Sequence, residues 1–157
     1  MNTPRIDITK HLSSPLLRAM FHLSTASTEG VDKPLFHLIK IRASQINGCA
    51  YCIDMHTKEA RAAGETEQRI YALSAWRETT FFSARECAAL EWAEALTRLG
   101  NPDSVPDALY ARVRQQFDED AIVALSFAVV VINGWNRLSI AFRPPVGSYQ
   151  PAALTTA

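Results

Sequence analysis

The sequence has no surplus of charge and few cysteines, and each shortage excludes a class of protein. Lysine plus arginine and aspartate plus glutamate number sixteen each, so the formal net charge is zero. Nucleic acids and anionic membranes favour a basic patch or stripe on their partners, and we therefore expect neither as a partner. Three cysteines among 157 residues do not suggest a disulfide framework.

Long hydrophobic runs are also missing. The longest apolar stretch, around residues 121–132, is shorter than the roughly 20 residues that cross a bilayer. The amino-terminal residues lack the apolar segment of a secretory signal. We therefore expect a cytoplasmic protein, and in a reducing compartment a close pair of cysteines is redox-active or metal-binding.

Helix-forming patterns occupy almost the whole chain, and no stretch alternates with period two. Ser14-Pro15 and a Ser83–Glu86 capping box are typical helix starts, and Asp118 or Asp120 is placed to cap a long last helix. We predict an all-α fold in a single domain over residues 1–157. The expected helices run from 15 to before 30, from 33 to about 46, over 49–63, 66–74, 83–99 and 106–117, and from about 119 to before 144.

The segment from Cys49 to His56 carries the chemistry. Cys49, Cys52 and His56 occupy positions i, i+3 and i+7, which fall within about 60° on one helix face. Cysteines three residues apart at a helix start are close enough to form a disulfide. His56, one turn after Cys52, and the helix amino terminus both favour the thiolate, which is the nucleophilic form.

A second histidine reaches this face if the chain reverses at Asn47-Gly48, which is a strong helix breaker. Two antiparallel helices joined there would place His37 opposite about residue 58, beside His56. We therefore predict a helix-turn-helix hairpin that carries the site, with His37 as its fourth member.

Two other interpretations of the site are open at this point. The cysteines would be two small buried hydrophobes, or zinc would bind the two cysteines and two histidines. Structural zinc sites usually stabilise small, loop-rich modules, so we assign no metal and no cofactor. Arg42 would place a positive charge near the thiols if it pointed toward them, whereas Asp54 and Glu59 are expected on the solvated side. Cys87 is interpreted as a packing residue.

Residues 41–56, Ile-Arg-Ala-Ser-Gln-Ile-Asn-Gly-Cys-Ala-Tyr-Cys-Ile-Asp-Met-His, resemble the carboxymuconolactone decarboxylase superfamily, specifically its alkylhydroperoxidase D-like branch. Supporting matches occur at residues 73–78, 88–95 and 133–138. The resemblance implies an all-helical protomer that assembles into homo-trimers or homo-hexamers.

The resemblance also implies a thiol-dependent hydroperoxidase with an antioxidant role. Cys52 would attack the peroxide, Cys49 would resolve the product as a disulfide, and His56 would assist proton transfer. A dithiol reductant, lipoylated or thioredoxin-like, would restore the pair. The branch usually has a glutamate where this chain has His37. Two alternatives remain: a redox-sensing disulfide switch, and a decarboxylase-like enzyme that uses His37 as acid or base.

Overall fold

The computed structural model describes residues 3–151, which form helices and no strand. The predicted all-α fold is therefore confirmed. Two short 3-10 helices, Ile8–His11 and Leu73–Glu78, accompany the α-helices. The α-helices are α1 (Pro15–Ala26), α2 (Lys33–Asn47), α3 (Ala50–Ala62), α4 (Glu67–Ala72), α5 (Ala84–Thr97), α6 (Asp107–Arg114) and α7 (Glu119–Phe142).

Side-chain caps fix the starts of the later helices. Ser83 and Glu86 form the predicted capping box at α5, each accepting from the other's backbone N–H. Asp118, and not Asp120, caps α7 by accepting from the Ala121 N–H at 2.8 Å. These caps satisfy backbone donors that have no partner inside their helices.

The helix predicted over residues 66–74 was wrong at its carboxyl end. α4 stops at Ala72 and the chain tightens into the 3-10 helix Leu73–Glu78, which has a non-helical residue, Ala75, at its centre. In this conformation the indole of Trp76 reaches the buried carboxylate of Glu94, with Nε1 and Oε1 2.9 Å apart. Local sequence carries no signal for that tertiary hydrogen bond.

α2 lies at the centre of the bundle, against α3, α5 and α7. Its residue Ile39 belongs to a cluster shared with α5, α6 and α7, whereas Leu38 belongs to a cluster shared with α3, α4 and α5. Both side chains are fully buried. Two adjacent residues thus pack α2 into the core on two sides, and α3 packs along this central helix.

α7 is the one helix within residues 3–151 that is long and apolar enough to cross a membrane by length and composition. It packs against α1, α2, α3, α5 and α6, as the core helix of a bundle does. Val123, Phe127 and Val130 remain exposed on its outer side.

Candidate active site

A left-handed glycine joins the two helices that carry the site. Gly48 ends α2 with φ of +69°, and the N–H of Cys49 donates to the Ser44 carbonyl at 3.0 Å. This conformation suits glycine because a Cβ would be strained there. α3 starts two residues later and packs along α2, so the predicted helical hairpin is confirmed.

The two cysteines of the motif are joined by a disulfide at the start of α3. Cys49 is the N-cap residue, and its Sγ accepts from the Cys52 N–H at 3.4 Å. Their Cα atoms are 5.3 Å apart, and each residue is 1% exposed. The sulfur of Cys49 therefore lies beside a backbone donor at the helix amino terminus, which would stabilise a thiolate there once the disulfide is reduced.

His56 lies one turn further along α3 and is also buried. Its Nδ1 is 2.8 Å from Oε2 of Glu59. The same oxygen accepts from Nζ of Lys40 at 3.0 Å, and the other oxygen of Glu59 accepts from the Tyr149 hydroxyl at 2.9 Å. Three donors from three segments of the chain therefore hold this carboxylate.

Burial and charge set the protonation states of this group. Burial lowers the pKa of His56, against the opposing effect of the hydrogen bond to Glu59. Burial alone would raise the pKa of Glu59, but the hydrogen bond from His56 and the charge of Lys40 outweigh it and hold that pKa well below its usual range. Burial and the neighbouring carboxylate raise the pKa of Tyr149 to about 12. At neutral pH the pair is a neutral imidazole and an ionised carboxylate.

His37 lies near this group but does not bond to it. Burial, together with the positive charge of Lys40, lowers the pKa of His37 to about 4. The charges of Glu59 and His56 also act on the pKa of His37. The predicted place of His37 as the fourth member of the site stays a prediction. Its Nδ1 is buried with no hydrogen-bond partner in the described part of the chain.

A cavity of about 630 Å³ opens onto the site. Cys52 and His56 line it, whereas neither Cys49 nor His37 does. Its walls are mostly apolar and come from α1, α2, α3, α7 and both terminal segments, including Phe21, Tyr51, Met55, Trp135, Leu138 and Phe142. Buried, largely apolar clefts with a few convergent polar groups are the usual form of small-molecule sites.

The segment after α7 closes one side of the site. Nζ of Lys58 donates to the carbonyls of Gly147 and Tyr149 at 3.2 and 3.0 Å, and the Gly147 N–H donates to Oδ2 of Asp54 at 3.2 Å. Pro144, Pro145 and Ser148 line the cavity. Up to residue 151 this segment folds back on its own protomer; residues 152–157 lie outside the described part.

The structure gives the direction of Arg42, which the sequence left open, and contradicts the expectation for Glu59. Arg42 points away from them, since its Nε donates to Glu94 of α5 at 2.6 Å. Glu59 is not on the solvated side, because it turns inward to His56. The i, i+3 spacing of His56 and Glu59 was a usable signal. Lys40 and Tyr149 lie 19 and 90 residues from Glu59, and no local pattern connects them.

The zinc alternative required four ligands to converge. In residues 3–151 no group of three or more His, Cys, Asp or Glu side chains is placed to hold a metal ion. The third cysteine, Cys87, is free and partly buried against the cluster that contains Leu38.

Comparison with known proteins connects this site to a family. The profile of the carboxymuconolactone decarboxylase family matches residues 15–95, which include the hairpin and both cysteines. The uncharacterized protein YdfG of Bacillus subtilis is 54% identical over 111 residues, which are 71% of this chain and 75% of that protein.

Two further relatives carry the name of the alkylhydroperoxidase. Alkyl hydroperoxide reductase AhpD of Maricaulis maris is 34% identical over 67 residues, covering 43% of this chain and 39% of that protein. A crystal structure from Agrobacterium tumefaciens, of a protein of unknown function described as a putative antioxidant defence protein AhpD, superposes with a TM-score of 0.84. It is 37% identical and the match covers 96% of this chain and 99% of that one. The chain therefore belongs to the carboxymuconolactone decarboxylase family, in its alkylhydroperoxidase D-like branch.

Proposed function

We propose that the protein is a thiol-dependent hydroperoxidase that works through a Cys49–Cys52 dithiol–disulfide cycle. One observation carries the proposal: Cys52 lines the apolar cavity together with His56, whereas Cys49, which is bonded to Cys52, does not line it. A peroxide in the cavity would meet one thiol and one proton-transfer group. The relatives named alkyl hydroperoxide reductase support the same chemistry.

The first half of the cycle oxidises Cys52. Its thiolate attacks the terminal oxygen of the hydroperoxide, the O–O bond breaks, and Cys52 becomes a sulfenic acid. The other oxygen leaves as an alkoxide and takes a proton from His56 to give the alcohol. The apolar walls of the cavity favour an organic hydroperoxide over hydrogen peroxide.

The second half restores the thiols. Cys49 attacks the Cys52 sulfur, water leaves, and the disulfide of the present structure forms. A dithiol reductant, lipoylated or thioredoxin-like, then attacks Cys52 from the cavity and is itself oxidised to a disulfide. Cys49 is the leaving thiolate, since the α3 amino terminus and the Cys52 N–H stabilise its charge.

The test follows cysteine oxidation by mass spectrometry in the reduced protein after addition of cumene hydroperoxide. We expect a disulfide in the wild type, a sulfenic acid at Cys52 in Cys49→Ser, and no peroxide consumption by Cys52→Ser. Cys87→Ser is the matched control and should behave as the wild type, because Cys87 lies apart from the cavity. Turnover should require dihydrolipoamide or a reduced thioredoxin.

Three results would contradict the proposal. Peroxide consumption in the Cys49→Ser/Cys52→Ser double variant would remove the thiols from the reaction. Stoichiometric oxidation without turnover under every dithiol would favour a redox-sensing switch. Activity on a lactone or ring acid that survives in the double variant would favour a decarboxylase-like enzyme.

A further inference from the structure

The polar group around Glu59 contains a carboxylate that the two-cysteine, one-histidine motif does not account for. Glu59 follows His56 by three residues on α3, so the two side chains share a face of the helix. A single hydrogen bond of 2.8 Å joins Nδ1 of His56 to Oε2 of Glu59.

We propose that Glu59 is a positioning residue that fixes His56 in one tautomer, with its proton on Nδ1 and Nε2 free to accept a proton from Cys52. An ionised carboxylate only accepts hydrogen bonds, so at 2.8 Å the shared proton must belong to the imidazole. This assignment leaves Nε2 as the basic nitrogen. The proposal rests on the thiol chemistry proposed above.

The carboxylate is itself held in place from outside its helix. Lys40 of α2 binds the same oxygen as His56 does, and Tyr149 of the carboxyl-terminal segment binds the other. The lysine keeps the carboxylate charged and the tyrosine limits its rotation. A glutamate on a free surface would lose this orientation to side-chain entropy.

The charge of Glu59 matters when His56 takes the proton. The Cys52 S–H bond breaks, the proton moves to Nε2, and the products are a thiolate and an imidazolium. The carboxylate stabilises the imidazolium through a charge-assisted hydrogen bond. Once the alkoxide leaves, the proton passes from Nε2 to the alkoxide oxygen and His56 returns to its starting tautomer.

The titratable groups near His56 come from three segments, and the amino-terminal segment adds Asp7 to the cavity wall. α2 supplies Lys40 and the neutral His37, the carboxyl-terminal segment supplies Tyr149, and α3 supplies Glu59 and Cys52. The α7 residues at the cavity, such as Trp135 and Leu138, carry no charge. Glu59 is thus the one carboxylate bonded to the histidine in residues 3–151. The branch usually has a glutamate at the position of His37, and a neutral histidine supplies no negative charge there. Glu59 supplies negative charge to the site instead.

The tautomer is measured by ¹⁵N NMR of the reduced protein labelled at histidine. We expect His56 to show a protonated Nδ1 and an unprotonated Nε2 in the wild type. Glu59→Gln should keep this tautomer, because the amide oxygen still accepts from Nδ1, whereas Glu59→Ala should lose it. An Nε2-protonated His56 in the wild type, or an unchanged tautomer in folded Glu59→Ala, would overturn the proposal.

The charge effect is measured by alkylation of Cys52 with iodoacetamide across pH, in a Cys49→Ser/Cys87→Ser background. We expect Glu59→Gln to raise the pH midpoint by about one unit, which is about a tenfold loss of thiolate on the acidic side. Asp54→Asn is the matched control: it removes one charge from the same helix, and Asp54 contacts the same carboxyl-terminal segment without touching His56.

An equal shift in both variants, or none in Glu59→Gln, would show that Glu59 acts only as bulk charge or as packing. The alkylation assay uses no peroxide, so it tests Glu59 even if the protein proves to turn over no hydroperoxide. A failed peroxide assay with a positive alkylation result would overturn the proposed substrate and leave the role of Glu59 intact.

Discussion

His37 illustrates at the residue scale how burial changes what a side chain can do. A histidine at this position would add positive charge beside the thiols only if it were protonated. Its pKa of about 4, lowered chiefly by burial, keeps it neutral at physiological pH. Its contribution to the site at neutral pH is therefore steric, or that of a neutral proton acceptor.

We expect the His37 ring to titrate in NMR spectra with a midpoint near pH 4. Because this pKa is lower in the folded than in the unfolded state, the unfolded chain binds the extra proton first as pH falls below about 6.5. The free energy of unfolding should therefore drop between about pH 6.5 and 4, and drop less in His37→Gln. Titration near pH 6.5, or equal acid sensitivity of both proteins, would contradict this.

Sequence reasoning at this scale succeeded where residues interact along one helix. The spacing of Cys52 and His56 is a helical one, and both residues line the cavity from α3. Cys49 precedes the helix as its N-cap residue and is bonded to Cys52. Sequence reasoning did not find Lys40 and Tyr149, the two donors that bind Glu59 from other segments, because tertiary packing and not local sequence brings them there. The catalytic roles of the predicted residues stay predictions.

The turn at Gly48 decides, at the scale of elements, where α3 begins. Gly48→Ala forces a side chain into φ of +69°, although its Cβ would meet no atom within 4 Å. We expect the free energy of unfolding to fall by about 1 kcal/mol from backbone strain alone. Urea denaturation measures the change.

Gly100→Ala is the matched control, because its backbone is outside the left-handed region and its Cβ would make an ordinary contact with the Arg98 carbonyl at 3.6 Å. It should be neutral or slightly stabilising. An equal loss of stability in both variants would show that the turn conformation is not the cause.

Helix starts were well predicted because a cap is a local feature. Ser83, Asp118 and the prolines of α1 and α2 each act within one turn of the chain. Helix ends were less well predicted: the helix expected over 106–117 ends at Arg114, and the chain then turns inward to bury Phe117. Where a helix ends therefore depends on which residues of the next segment are buried, and local sequence does not specify this.

Glu94 links elements across the whole molecule. This buried carboxylate of α5 accepts from Arg42 of α2 at 2.6 Å, and from Trp76 and Arg77 of the second 3-10 helix at 2.9 and 2.7 Å. Burial would raise its pKa, but these hydrogen bonds and the charge of Arg42 hold that pKa at about 2.

We expect Glu94→Gln to lower the free energy of unfolding by about 3 kcal/mol, because it leaves the buried guanidinium of Arg42 without its counter-charge. The folded pKa of Glu94 lies below its ordinary value of 4.5, so this stabilisation is present above that pH and is lost as pH falls toward 2. The stabilities of wild type and variant, measured in urea, should therefore converge in acid.

Glu91→Gln on the same helix is the control. Glu91 pairs with Arg112 at 2.7 Å on the surface, and such pairs contribute under about 1 kcal/mol. A similar loss in both variants would contradict the assignment of Glu94 as a link between elements. The single-domain organisation and the trimer or hexamer stay predictions.

The return of the carboxyl-terminal segment to α3 has a consequence for biosynthesis. The hydroxyl of Tyr149 meets Glu59 across 90 residues of chain, and α7 supplies much of the cavity wall. Because synthesis proceeds from the amino terminus, the cysteines leave the ribosome before α7 and Tyr149 have been synthesised. During synthesis the two thiols therefore stay exposed to solvent until α7 and the carboxyl-terminal segment fold over them. The cysteine pair is therefore enclosed only after residue 149 has been synthesised.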